Sequence, residues 1–166
     1  MSNKIGTVIE LNTVEKAICK QLAKMRYENA RNSGVKNSKI GSQSDEFTDL
    51  EGISGEFAFC KLFNIYPDLS IAVRSAFQGN DDGDGTLHEK KVDVKTTKYE
   101  TGKLLAAPWK KTNVDIFALM TGVFPKYTFR GFMKSEELLQ SSRLSDLGHG
   151  QGYMAYQQEL REFHES

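Results

Sequence analysis

The stretch "VDVKTT", residues 92–97, sets a carboxylate and an amine two positions apart inside a run of β-branched residues. Valine and threonine favour extended backbone, so the run reads as a strand. Side chains alternate along a strand. Val92, Val94 and Thr96 therefore share one face, and Asp93, Lys95 and Thr97 the other. Asp93 and Lys95 then project together, roughly 7 Å apart at the backbone. A carboxylate there can ligate a divalent cation. A lysine beside it can orient a water molecule or stabilise a pentavalent phosphate. The plainer alternative is an ion pair on a solvated face. Glu89 and Lys91 repeat the acid-x-Lys spacing just upstream, without the apolar flanks of a buried strand.

Two further features could complete such a site. The segment "GISGEFAFCKLFN", residues 52–64, reads as a helix. In a helix Glu56 neighbours Gly52, Ile53, Phe59 and Cys60, which are small or apolar. A carboxylate on that face must be paired, protonated or bound to a cation, unless it reaches water at the edge of the stripe. The turn "GNDDGDG", residues 79–85, ends nine residues or so before the acid of the strand. A hairpin there would bring Asp84 alongside Asp93, with Asp82 as the fallback. Two carboxylates so placed suit a hard cation such as Mg2+ or Mn2+. An EF-hand reading of the turn fails, because Lys91 occupies the position that needs a bidentate Glu.

The elements that must position these groups follow from patterning. Thr13 as N-cap and Val14, Ile18, Leu22 and Met25 at helical spacing predict a helix over 13–32. Residues 32–52 are polar and Gly/Ser-rich and predict a long loop. Strands are expected at 69–77, 86–89, 91–97, 114–122 and 126–133, with 98–113 a basic, loosely patterned stretch. Ser135 opens "SEELLQ", a helix start with acids in its first turn. "LSDLGHGQGYMAY" reads as a Gly-rich loop, and a short helix is expected near 154–164. This order predicts an α/β (α+β) protein with a central mixed β-sheet flanked by helices.

Composition narrows the setting. The 166 residues suit one domain, 1–166. Lys+Arg and Asp+Glu both number 22, so net charge alone selects no partner. Charge is nevertheless uneven: 15–39 and 90–111 are basic, whereas 45–56 and 79–85 are acidic. Cys19 and Cys60 lack CxxC spacing, sit on apolar stripes and read as core thiols of a reducing compartment. No apolar run approaches membrane-spanning length, so a cytoplasmic protein with no membrane partner is expected. "GHGQG" at 148–152 lacks GK[ST], which excludes a P-loop.

The order "DLEGISGEFAFCKLFNIYPD", "DDGDG", "VDVKTT", "DIFALMTG", "GFMKSEELL" resembles the PD-(D/E)XK nuclease superfamily, in a small phage-type variant. The resemblance covers about 14–140, leaving 141–166 as a loop and short helix outside the core. It implies a restriction-endonuclease-like core and magnesium-dependent hydrolysis of DNA. It implies catalytic roles for Glu56, Asp84, Asp93 and Lys95, with Glu56, Asp84, Asp93 and the Val94 carbonyl as metal ligands. Here the acidic motif lacks a preceding proline. Lys98, Lys103, Trp109, Lys110 and Lys111 follow the strand and are expected to meet DNA, lysines at phosphate and Trp109 by stacking. Three rivals stand beside this reading: a catalytically silent DNA-binding or assembly module, a homodimeric junction resolvase, and an inhibitor of viral origin acting in a host cell.

Overall fold

Glycine and threonine at one helix–strand contact fix how the layers meet. A computed structural model describes residues 3–32, 45–69, 85–108, 113–148 and 150–163. Helix α1 spans Thr13–Asn32, as its periodicity predicts. Its cap is Asn12 rather than Thr13. The Glu15 N–H donates to Asn12 Oδ1 at 2.9 Å and the Asn12 N–H donates to Glu15 Oε1 at 2.8 Å, a reciprocal capping box.

Helix α2 spans Asp45–Phe63, seven residues longer at its start than patterning suggested. The segment 45–51 is acidic and polar, which resembles a loop. Acids at a helix start are also what the macrodipole favours, and here the helix prevails. It ends in a Schellman motif, with Asn64 left-handed (φ 56°) and the Ile65 N–H donating to the Cys60 carbonyl at 2.8 Å.

The main sheet has five strands: β1 (Val8–Glu10), β2 (Gly85–Leu87), β3 (Lys90–Thr97), β5 (Ile116–Val123) and β6 (Lys126–Lys134). Their order is β1-β6-β5-β3-β2. β3 and β5 run parallel at its centre and the other pairs are antiparallel, so the sheet is mixed. The β2–β3 turn is His88-Glu89, both at positive φ, as a two-residue hairpin requires. The expected strand at 69–77 lies outside the described residues from Ser70 on.

A second sheet of three strands, order β4-β8-β7, comprises β4 (Leu104–Ala106), β7 (Leu144–Asp146) and β8 (Gln151–Ala155). Patterning read β7 and β8 as loop because glycines interrupt them, and read β4 as part of an unpatterned basic stretch. The helix expected over 154–164 is only a 3-10 turn at Gln157–Glu159. Helix α3 is a single turn, Ser135–Leu138.

Each face of the main sheet has its own core. On one, α1 and α2 pack Cys19, Leu22, Ile53, Ala58 and Phe59 against Val92, Val94, Ala118, Met120, Tyr127 and Phe129. On the other, Leu104, Ala106, Leu138, Ala155 and Leu160 pack against Phe117, Leu119 and Met133. The chain is thus a mixed α+β protein. The long helices cover one face, and the small sheet covers the other, where flanking helices were expected.

The helical layer lies flush on β3 because Gly55 faces Thr96. A Cβ at Gly55 would overlap the Thr96 hydroxyl. Gly55→Ala should therefore destabilise the fold by about 1–3 kcal/mol through overpacking. Thr96→Ala in the same chain should recover part of that loss, because the two nearest obstructing side-chain tips are gone. Urea denaturation of the two single variants and the double variant measures the coupling; additive effects would show that the two positions do not meet.

Candidate functional site

β3 carries the acid and the lysine as its alternation predicts. Its Val92 and Val94 side chains enter the helix-side core. Asp93 and Lys95 therefore project from the opposite face, beside Phe117 and Leu119, with which they pair in register. Asp93 is only 2 % exposed. The Lys95 ammonium lies 3.1 Å from Asp93 Oδ1 and its side chain is 34 % exposed. A carboxylate this buried needs compensating charge. The pair supplies it while leaving the ammonium in reach of solvent. Beyond Val92 the outer edge of β3 has no strand beside it among the described residues.

The other expected members of the site lie as follows. Glu56 is half-buried on α2, the layer that packs on the Val92–Val94–Thr96 face. Asp84 and Asp82 lie outside the described residues; Gly85, which follows Asp84 directly, pairs with Val92. The Val94 backbone sits between Asp93 and Lys95 in the β3–β5 ladder. Among the described residues, no three His, Cys, Asp or Glu side chains are grouped to hold a metal ion.

Lys98 and Lys103 are exposed in the segment between β3 and β4. The Lys98 ammonium lies 5.2 Å from the Tyr99 ring centre, and that of Lys103 lies 5.2 Å from the Tyr156 ring centre. Trp109, Lys110 and Lys111 lie outside the described residues. His88, in the β2–β3 hairpin turn, stacks on Phe163 at 5.3 Å.

Two residues on this scaffold escaped the sequence reading. Arg130 sits where the β5–β6 register shifts, between Phe129 paired with Met120 and Gly131 paired with Leu119. Such a bulge re-aims a side chain. Arg130 Nε donates to Thr121 Oγ1 at 2.8 Å, and Thr121 pairs with Thr97. The guanidinium therefore joins the face that bears Lys95. No periodicity marks a bulge in advance. The second residue is Glu51, which is 6 % exposed and is the buried acid of α2. It accepts the Tyr127 hydroxyl at 2.9 Å and the Phe124 N–H at 3.0 Å. Its i+4 and i+8 neighbours, Gly55 and Phe59, were the available signal.

Electrostatics on the helix side are those of a dry core. Burial pushes the Cys19 thiol up to about 11, with the Ser54 hydroxyl opposing and the Glu15 and Glu56 carboxylates adding to it. Burial, followed by the Glu51 carboxylate, pushes the Tyr127 phenol far above its usual value. The folded Cys19 thiol keeps its proton to higher pH than the unfolded one at 9.0. The stability this contributes is complete below that pH and is lost as pH rises to about 11. Urea midpoints should therefore fall between pH 9 and about 11, and Cys19→Ala should flatten that fall, leaving the share due to Tyr127.

Fold and site together define a mixed α+β protein with a buried acid–lysine pair on a central strand. A family model described as a family of unknown function (DUF5843) matches residues 2–138, and the chain belongs to that family. No curated protein and no solved structure matches the chain. Among the described residues no helix is long and apolar enough to cross a membrane.

Proposed function

We propose that the protein is a metal-dependent nuclease that hydrolyses DNA phosphodiester bonds on a restriction-endonuclease-like core. The observation that carries this reading is the Asp93–Lys95 pair, buried at its acid and open at its amine. A purely structural ion pair gains little from that asymmetry, since burying a charge is costly wherever it sits. An acid held dry beside a solvent-facing cation suits a group that must meet an anionic phosphate.

The donor chemistry fits a hard cation. Asp93 and the Val94 carbonyl offer oxygen, and the hairpin pairing of Gly85 with Val92 favours Asp84 as a further ligand. Glu56 is the fourth ligand that the family resemblance implies. A bound magnesium or manganese ion would act as a Lewis acid and lower the pKa of a bound water.

The protein's own groups do the rest. Asp93 fixes the Lys95 ammonium by its 3.1 Å contact. Lys95 then orients the attacking water or neutralises charge on the phosphate as it grows in the transition state. Arg130, held by Thr121 on the same face, adds a second cation with donors to spare for a phosphate oxygen. Lys98 and Lys103 contribute non-specific phosphate contacts, whose strength falls with salt.

Purified protein should cut plasmid or branched DNA in magnesium or manganese. Lys95→Ala should lower the rate by about a hundredfold to a thousandfold, the scale of losing one preorganised electrostatic group. Lys95→Arg, which keeps the charge, controls for folding, and thermal melts of both variants check it. If no DNA in the panel is cut and calorimetry detects no divalent cation, the nuclease reading fails and a silent binding module takes its place.

A further inference from the structure

The turn after β3 presents a feature that phosphate binding alone does not explain. Tyr99 is 63 % exposed and Tyr156 is 49 % exposed, both unusual for large rings. Each holds a lysine ammonium over its ring. The two rings belong to segments far apart in sequence that the fold ties together. Gln157 Nε2 donates to the carbonyls of Glu100 and Gly102, both at 2.8 Å. Leu104 pairs with Ala155, which brings Lys103 level with Tyr156 at the end of the β4–β8 ladder.

The mounting is stiff. The Gly102 N–H donates to the Tyr99 carbonyl at 2.9 Å and closes the turn. Gly102 also lies so close to Thr97 that a Cβ there would overlap its side chain. The Tyr156 N–H donates to Glu159 Oε2 at 2.9 Å, and Arg143 holds the other oxygen of that carboxylate at 3.0 Å. The rings are thus attached to anchored backbone rather than to free loops. Thr97, which supports the turn, is two residues beyond Lys95 on the same face of β3.

We propose that Tyr99 and Tyr156 form a stacking surface for single-stranded DNA, fed by Lys98 and Lys103 and leading to Lys95. The inference rests on the nuclease reading for its polymer and goes beyond it in naming the strand state. Exposed ring faces stack on bases only where the bases are unstacked, as in a single strand; a duplex hides them. The lysines already poised over the rings supply the matching charge. When a base arrives, its phosphate takes the ammonium and the ring takes the base.

The test is fluorescence anisotropy with a labelled oligo-dT, a blunt duplex of equal length and an oligo-rU, in EDTA so that no cleavage intervenes. Wild type should bind oligo-dT more tightly than duplex. Tyr99→Ala and Tyr156→Ala should each weaken oligo-dT binding by roughly five- to a hundredfold, the range of base–aromatic stacking. Tyr99→Phe and Tyr156→Phe should retain it, because the ring face remains. Lys103→Ala should lower the salt slope by about 1. Duplex bound as tightly as single strand, unchanged binding in both alanine variants, or tighter binding of oligo-rU would each overturn the proposal. Wild type that cuts DNA in magnesium while the alanine variants bind unchanged would sink this inference and leave the nuclease reading intact. Stacking without any cleavage would do the reverse.

Discussion

The close approach of α2 to β3, where Gly55 leaves room for the Thr96 hydroxyl, is the constraint from which the rest follows. It commits one face of β3 to the helical core, with Val92 and Val94 beneath the helices. Strand alternation then leaves Asp93 and Lys95 no choice of direction. They must face the other core, where Phe117 and Leu119 lie beside them. An apolar contact on one side of the sheet thus dictates the placement of charge on the other.

Among the described residues two carboxylates are buried, and they are satisfied by different means. Glu51 accepts a buried hydroxyl and a part-buried backbone N–H, both neutral donors. It ties α2 to the β5–β6 turn and is a fixture of the core. Asp93 instead faces a flexible cation whose far end meets water. Lys95 can meet an incoming anion on its solvent side while it stays on Asp93, because leaving that buried carboxylate unpaired would be costly. The contrast in partners, more than the burial they share, sets the two acids apart.

Much of this was legible in the sequence. The periodicity of α1, the β-branched run of β3 and the apolar run of β5 carry strong local signals, and all three elements appear nearly where expected. The Asp93–Lys95 juxtaposition follows from alternation alone and is met at 3.1 Å. Local signals failed where the partner strand decides the conformation. β4, β7 and β8 are short and weakly patterned, and they become strands because they pair in one sheet. The start of α2 was hidden because acidic, polar residues suit a loop and a helix N-terminus equally. Arg130 depends on a register shift between strands, which no single-strand pattern records. The placement of Glu56 relative to β3 needed the layer order, which sequence spacing does not contain.

The second sheet has a consequence for the order in which the molecule is made. Among the described residues β4 pairs only with β8, and the core that encloses Phe117 and Leu119 draws on Leu138, Ala155 and Leu160. A chain emerging from the ribosome can therefore lay the helices on the first face of the main sheet long before it can close the second. The acid–lysine face gains its full apolar surround, and Lys103 the Tyr156 ring, only when translation has passed Leu160. Closure of this face is a late event in the birth of the molecule.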